Sequence, residues 1–266
     1  MTRWQGKLLT ALLLGGMAQP LAAEEAPDDI ARRVSLTRWA GVGAITIWGL
    51  ANWDYGERSL HATTEGWFDA DTKEGGADKI GHLYTSYLMT RAFDGLYRHW
   101  GVTAPAASRD AMISSLLLTG FIELGDGFSP YGVSWEDMTM NVAGGLIGYQ
   151  LATHEAWQRR LDLRMEYIPS GSPDPLTDYQ HARYLLAIKL NGFTALQHSP
   201  LQWLELHAGY YARGYDDPDA RDRRFFYVGL GINFPALLER AGWQRSAKVL
   251  QYYQLPGTTL RAEQEL

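Results

Sequence analysis

Residues 134–167 read SWEDMTMNVAGGLIGYQLATHEAWQRRLDLRMEY, and the hydrophobic period changes inside this stretch. It opens on Ser134, followed three residues later by Asp137, a pattern close to a capping box with Asp in place of the usual Glu. A charge-free run at 138–153 follows, with Gly144, Gly145 and Gly148 where neighbouring helices can approach closely, and the spacing predicts a helix ending near Trp157. From Leu161 the period is two: Leu161, Leu163, Met165 and Tyr167 alternate with Asp162, Arg164 and Glu166. That is strand spacing, because successive side chains on a strand point to opposite faces. A helical part followed by a sheet part predicts an α+β fold with its boundary near residue 158.

Working back from Ser134, the breakers Gly125, Gly127, Pro130 and Gly132 end a third helix, which Ser108 and Asp110 open and which runs to about Leu124. Gly101 and Pro105 separate it from a second helix, Asp78 to about His99. Residues 55–76 are rich in Gly, Thr and acids and read as a long loop, a kind of segment that is often functional or mobile. A first helix covers residues 36–52. Forward from Tyr167, the two-residue alternation recurs at 184–190, 204–210 and 226–234, and a helical pattern runs from Pro235 to Leu250. The expectation is a four-helix bundle at 24–158, then at 159–266 a four-stranded antiparallel sheet, one face against the helices, with a C-terminal helix. Four strands are too few to close a membrane barrel, which needs about eight.

Composition narrows the class further. The 266 residues carry 24 Lys and Arg against 30 Asp and Glu, a formal charge of −6. That balance argues against nucleic acid or anionic lipid as the main partner, since both reward clustered cations. No cysteine is present, which excludes a disulfide scaffold, thiolate zinc sites, thiol catalysis and lipidation on Cys. Residues 1–23 read as a secretory signal: Arg3 and Lys7, an apolar run at 8–17, then small residues before Glu24. The remaining charge-free runs, 39–53, 111–122 and 138–153, fall short of the ~20 residues a spanning helix needs. They read as bundle helices, with docking of the Trp-bearing first helix on a bilayer surface left open.

Helix length brings the polar residues together. The second helix is roughly 33 Å long and the third returns over about 25 Å; short connections make such neighbours antiparallel. Glu123 and Asp126 should therefore return beside Asp78, Lys79 and His82, and the fourth helix starts from the same end with Ser134, Trp135, Asp137 and Asn141. Asp78 with His82, and Asp137 with Asn141, share a helix face. Four neighbouring carboxylates repel, which raises at least one pKa unless cations intervene.

Three arrangements relieve that repulsion. A divalent metal could be held by His82 with Asp78, Glu123 and Asp126, leaving a position for water. Acid/base chemistry could use one protonated and one charged carboxyl among Glu123, Asp126 and Asp137. Lys79 and His82 could instead complete a salt-bridged network with no chemistry at all. Asp78 and Ser134 also read as helix N-caps. Glu123 and Asp126 lie at a helix C-terminus, where the dipole disfavours acids, so they are the stronger functional candidates. His61, His154, His181, His198 and His207 lack such convergence and read as solvent or turn residues. No nucleophile elbow, P-loop or dinucleotide fingerprint is present.

At these residues the sequence resembles a known family. The strings GGADKIGHLY (75–84), ELGDGFS (123–129) and SWED (134–137), with Asn141 and Gly144, resemble the YfiM-like predicted periplasmic lipoproteins, whose activity is unknown. The resemblance extends to 204–211, 226–234 and Leu255-Pro256, and implies a periplasmic or outer-membrane-associated location, here without a lipidated Cys. More distantly, the order Asp-Lys…His, Glu, Asp…Asn…Gly is similar to VanZ-like membrane proteins, which implies a lipid or cell-wall component as substrate. On this reading Glu123 or Asp126 is the base and His82 a ligand or acid. Lys79, Ser134, Trp135 and Asn141 then contact substrate. The alternative is a non-catalytic structural or membrane-docking module.

Overall fold

The computed structural model describes residues 27–172, 174–215 and 219–266; the expected signal at 1–23 lies outside the described residues. Four long helices come first: α1 (Pro27–Asn52), α2 (Ala77–His99), α3 (Ala104–Asp126) and α4 (Trp135–Thr153). Helix α1 begins earlier than expected, with Asp28 and Asp29 in its first turn complementing the helix dipole. Pro105 opens α3 rather than preceding it, because a proline in the first turn lacks only an N–H that has no partner there. At α4, Ser134 Oγ accepts from the Asp137 amide at 3.2 Å, as the capping pattern predicts. Helix α4 stops at Thr153, and the last turn of the expected helix is a separate α5 (Glu155–Gln158).

Helix α2 packs on both α3 and α4, and α1 packs on α3. The contacts are close and partly polar. A Cβ at Gly144 would meet the Leu83 carbonyl oxygen at 2.0 Å, while Ser86 and Ser115 pair at 3.1 Å and Tyr97 with Ser114 at 2.8 Å. A two-residue parallel pairing of β1 (Ala62–Thr63) with β2 (Val133–Ser134) fastens the long loop to the start of α4.

The sheet has five antiparallel strands, not four: β3 (Leu161–Tyr167), β4 (Ala182–Lys189), β5 (Leu204–Arg213), β6 (Arg223–Ile232) and β7 (Thr259–Glu265), adjacent in that order. Strand β7 carries only Leu260 and Ala262 as apolar residues among charges, so its pattern is weak. The expected C-terminal helix is two short ones, α6 (Phe234–Arg240) and α7 (Gln244–Leu250), parted where Gly242 takes φ 83°. The described residues therefore hold seven α-helices.

The sheet is apolar on one face and charged on the other. Leu161, Leu163 and Met165 pack with Tyr84, Tyr87 and Leu151 of the bundle, as expected. On the opposite face Arg164 donates to Glu205 at 2.5 and 3.0 Å and to Asp162 at 2.9 Å. His207 joins Glu205 at 2.9 Å and is buried, so it is not a solvent or turn residue. Glu166 on β3 reaches Arg261 on β7 at 3.3 Å, although three strands lie between them. The sheet is thus curled around its charged face, and residues 252–254 add backbone bonds to Met165 along the open edge.

A candidate metal centre at the end of the bundle

The convergence expected from helix length is present. The first turns of α2 supply Asp78, Lys79 and His82; the last turn of α3 supplies Glu123 and Asp126; the first turns of α4 supply Asp137 and Asn141. His82 Nδ1 lies 3.3 Å from Glu123 Oε1, and its Nε2 lies 3.9 Å from Asp137 Oδ1. Asn141 Nδ2 donates to the same Glu123 oxygen at 3.0 Å. One ligand atom from each of His82, Glu123 and Asp137 falls within 4.8 Å of the other two.

The candidate ligands from sequence divide between neighbouring subsites. His82 and Glu123 join Asp137. Asp78 turns to Lys79, whose ammonium is 2.8 Å from Asp78, 2.8 Å from Asp137, and also bonded to Glu65. Burial alone would lower the Lys79 pKa, but Asp78 and Asp137 overcome it and hold the ammonium charged. With three carboxylates around it, Lys79 does not line the cavity described below. Asp126 faces Tyr55, whose hydroxyl donates to the Ile122 carbonyl at 3.1 Å.

Burial and charge crowding set the carboxyl groups apart. Glu123, 2% exposed, is pushed up to about 9 by burial, then by the charges of Asp137 and Asp126. Asp126 is pushed up to about 7 by burial, then by Asp137 and Glu65. Burial also raises Glu65 against the pull of Lys79.

A cavity of about 550 Å³ adjoins this cluster, lined among others by His82, Asp126, Asp137 and Asn141 together with Trp53 and Tyr179. Glu123 lies outside that lining. Ser134 is buried as the α4 cap and donates to Glu136 at 3.2 Å. Trp135 is half exposed and packs edge-on against Trp67 at 5.1 Å, so neither residue lines the cavity.

Residues that sequence reasoning did not select also contribute. Glu65 and Tyr55 come from the long loop, and Asp178 and His181 come from the β3–β4 connection, bonded to each other at 2.7 Å. That connection is tied to the end of α1 by Trp53 Nε1, which donates to Asp174 at 2.6 Å. Only the composition of residues 55–76 signalled any of this.

The donor set suits a divalent cation. One imidazole and two carboxylates fit the borderline first-row metals better than calcium or a thiolate-preferring ion. One acceptor is left over: Asn141 Oδ1 is buried without a hydrogen-bond donor, whereas Asp137 Oδ1 has the Lys79 ammonium at 2.8 Å. Buried acceptors without donors are uncommon and costly in proteins.

Residues 64–153, which carry every site residue from Glu65 to Asn141, match the family model described as a predicted periplasmic lipoprotein (DUF2279), of unknown function. This match supports an uncharacterised periplasmic family. No curated protein and no solved structure matches the chain. Among the described residues no helix is long and apolar enough to cross a membrane.

Proposed function

We propose that this protein is a periplasmic hydrolase that binds a divalent cation through His82, Glu123 and Asp137 and acts on a lipid or cell-wall component held in the adjoining cavity. The observation that carries the reading is the pairing of these three ligand atoms within 4.8 Å with the donor-less buried oxygen of Asn141 beside them. A bound cation of this kind supplies a water that ionises near neutral pH. Asp126, with a pKa near 7 and a place in the cavity lining, is the residue able to take a proton and return it. Asn141 orients Glu123, and Glu123 in turn orients His82. The match to a predicted periplasmic family supports an envelope location for the substrate and adds nothing about the reaction.

The test is elemental analysis and metal titration of protein purified without chelator, alongside His82→Ala, Glu123→Gln and Asp137→Asn. Stoichiometric metal in the wild type and its loss in the variants is the expected result. Equal metal content in all four proteins would remove the proposal. A second reading, a charge network that only pins three elements together, is favoured by Lys79 and its three carboxylates. Under it the same variants unfold readily and bind no less metal than the wild type.

A further inference from the structure

The exposed part of the sheet has its polarity reversed for a protein in water. Leu206, Val228, Leu230, Ile232 and Leu260 all lie on the outer face of β5–β7 and are all exposed, Val228 at 51% and Leu260 at 78%. The register sets Leu206 against Leu230 and Leu230 against Leu260, so the side chains form one patch rather than scattered positions. On the other face of the sheet Arg164 is buried in ion pairs with Asp162 and with Glu205 of β5, while Glu263 and Glu265 at the end of β7 stay exposed. Burying ion pairs while exposing leucines is unfavourable in water. It is the arrangement of a sheet whose outer solvent is hydrocarbon.

The segment that leaves β6 adds the second element. Trp243, which precedes α7, and Val249 on α7 are exposed (64% and 61%) in a segment that carries Arg240, Arg245 and Lys248, with Glu239 the lone acid of residues 234–250. A local excess of cations on a chain of formal charge −6 marks this segment off from the rest of the molecule. Tryptophan and valine among cations is the composition of a surface that rests at lipid headgroups.

We propose that the outer face of β5–β7, with α6 and α7, docks on a phospholipid bilayer carrying anionic headgroups. The apolar patch enters the headgroup–acyl boundary, and Arg240, Arg245 and Lys248 meet phosphates. Attachment is peripheral, and it stands independently of the metal site.

The experiment is co-sedimentation of the full chain with vesicles of phosphatidylcholine, with and without phosphatidylglycerol. The wild type is expected to bind the anionic vesicles, more weakly as salt is raised. Val228→Asp with Leu260→Asp should lower binding by about tenfold or more. Arg245→Glu with Lys248→Glu should abolish the preference for phosphatidylglycerol. These side chains are exposed, so unchanged circular dichroism and melting are expected; Val228→Ser with Leu260→Ser serves if the aspartates disturb folding. No binding by the wild type, or equal binding by the patch variants, overturns the proposal. So does a dimer in light scattering that the patch variants dissolve while vesicles remain unbound, since the occupant would then be a second copy.

Discussion

Oε1 of Glu123 lies 3.3 Å from Nδ1 of His82, and Asn141 donates to that same oxygen at 3.0 Å. With its pKa near 9, Glu123 carries a proton at neutral pH in the metal-free protein. A cation at His82 and Asp137 would take that proton's place, because a ligating carboxyl must be ionised.

Glu123→Gln keeps the volume and the hydrogen bonding of the protonated acid but cannot ionise. The metal-free variant should be as stable as the wild type at neutral pH, and its metal affinity should fall by more than the roughly 10–100-fold that losing an outer-shell partner of a ligand costs. Thermal melting of the apo proteins, followed by metal titration, checks both halves. A variant that is markedly unstable without metal would show that the carboxyl does structural work as an anion.

The two raised acids also fix how stability depends on pH. Both have folded-state pKa values above their ordinary ones, so between those limits the folded chain binds more protons than the unfolded chain, and stability falls as pH rises. The contribution is full below about pH 4. It is lost through about 7 for Asp126 and through about 9 for Glu123. Urea midpoints of the chelated protein should decline from acid toward alkaline pH, steeply up to about 7 and less so up to about 9. Glu123→Gln should flatten the portion above 7.

Lys79 is 1% exposed and neutralises carboxylates from the long loop, α2 and α4. Lys79→Met leaves those acids buried without a cation and should cost about 3–5 kcal/mol. Adding Asp137→Asn removes one of the stranded charges and should recover part of the loss. Denaturant unfolding of the single and double variants measures the coupling; additive effects would mean that the ion pair contributes nothing of its own.

The helices, and the meeting of their ends, were legible because apolar runs and breakers bound helix lengths, and lengths fix which ends face each other; of the expected caps only Ser134 holds, since Asp78 lies inside α2 after Gly76, and Ser108 and Asp110 lie inside α3. The loop residues were not. Tyr55 reaches the site because Gly49 and Gly125 leave room for its ring, each too close to it for a Cβ, and Glu65 arrives through a pairing of two residues with two. Neither signal has a period. The sheet shows a different limit. Period two separates Leu163 and Met165 from Arg164 and Glu166, but it does not say which face turns inward. That is decided by the curl that lets Glu166 meet Arg261 and Arg164 meet Glu205, contacts 95 and 41 residues apart in sequence.

Gly144 gives the site its spacing. It lies on α4 three residues after Asn141, and a Cβ there would stand 2.0 Å from the Leu83 carbonyl oxygen, 2.8 Å from its carbon and 3.0 Å from its Cα. All three atoms are backbone, so no rotamer change relieves the contact and α2 must move away from α4. His82 and Asp137 ride on those two helices, and their 3.9 Å separation must widen with them. Gly144→Ala should therefore cost about 1–3 kcal/mol and weaken metal binding as well. Gly145→Ala is the control: its Cβ would approach the Leu116 side-chain tip at 3.0 Å, which can rotate aside, and both properties should stay close to wild type. Urea unfolding paired with metal titration separates the outcomes. Loss of stability with undiminished metal affinity in Gly144→Ala would mean that the α2–α4 distance does not set the geometry of the ligands.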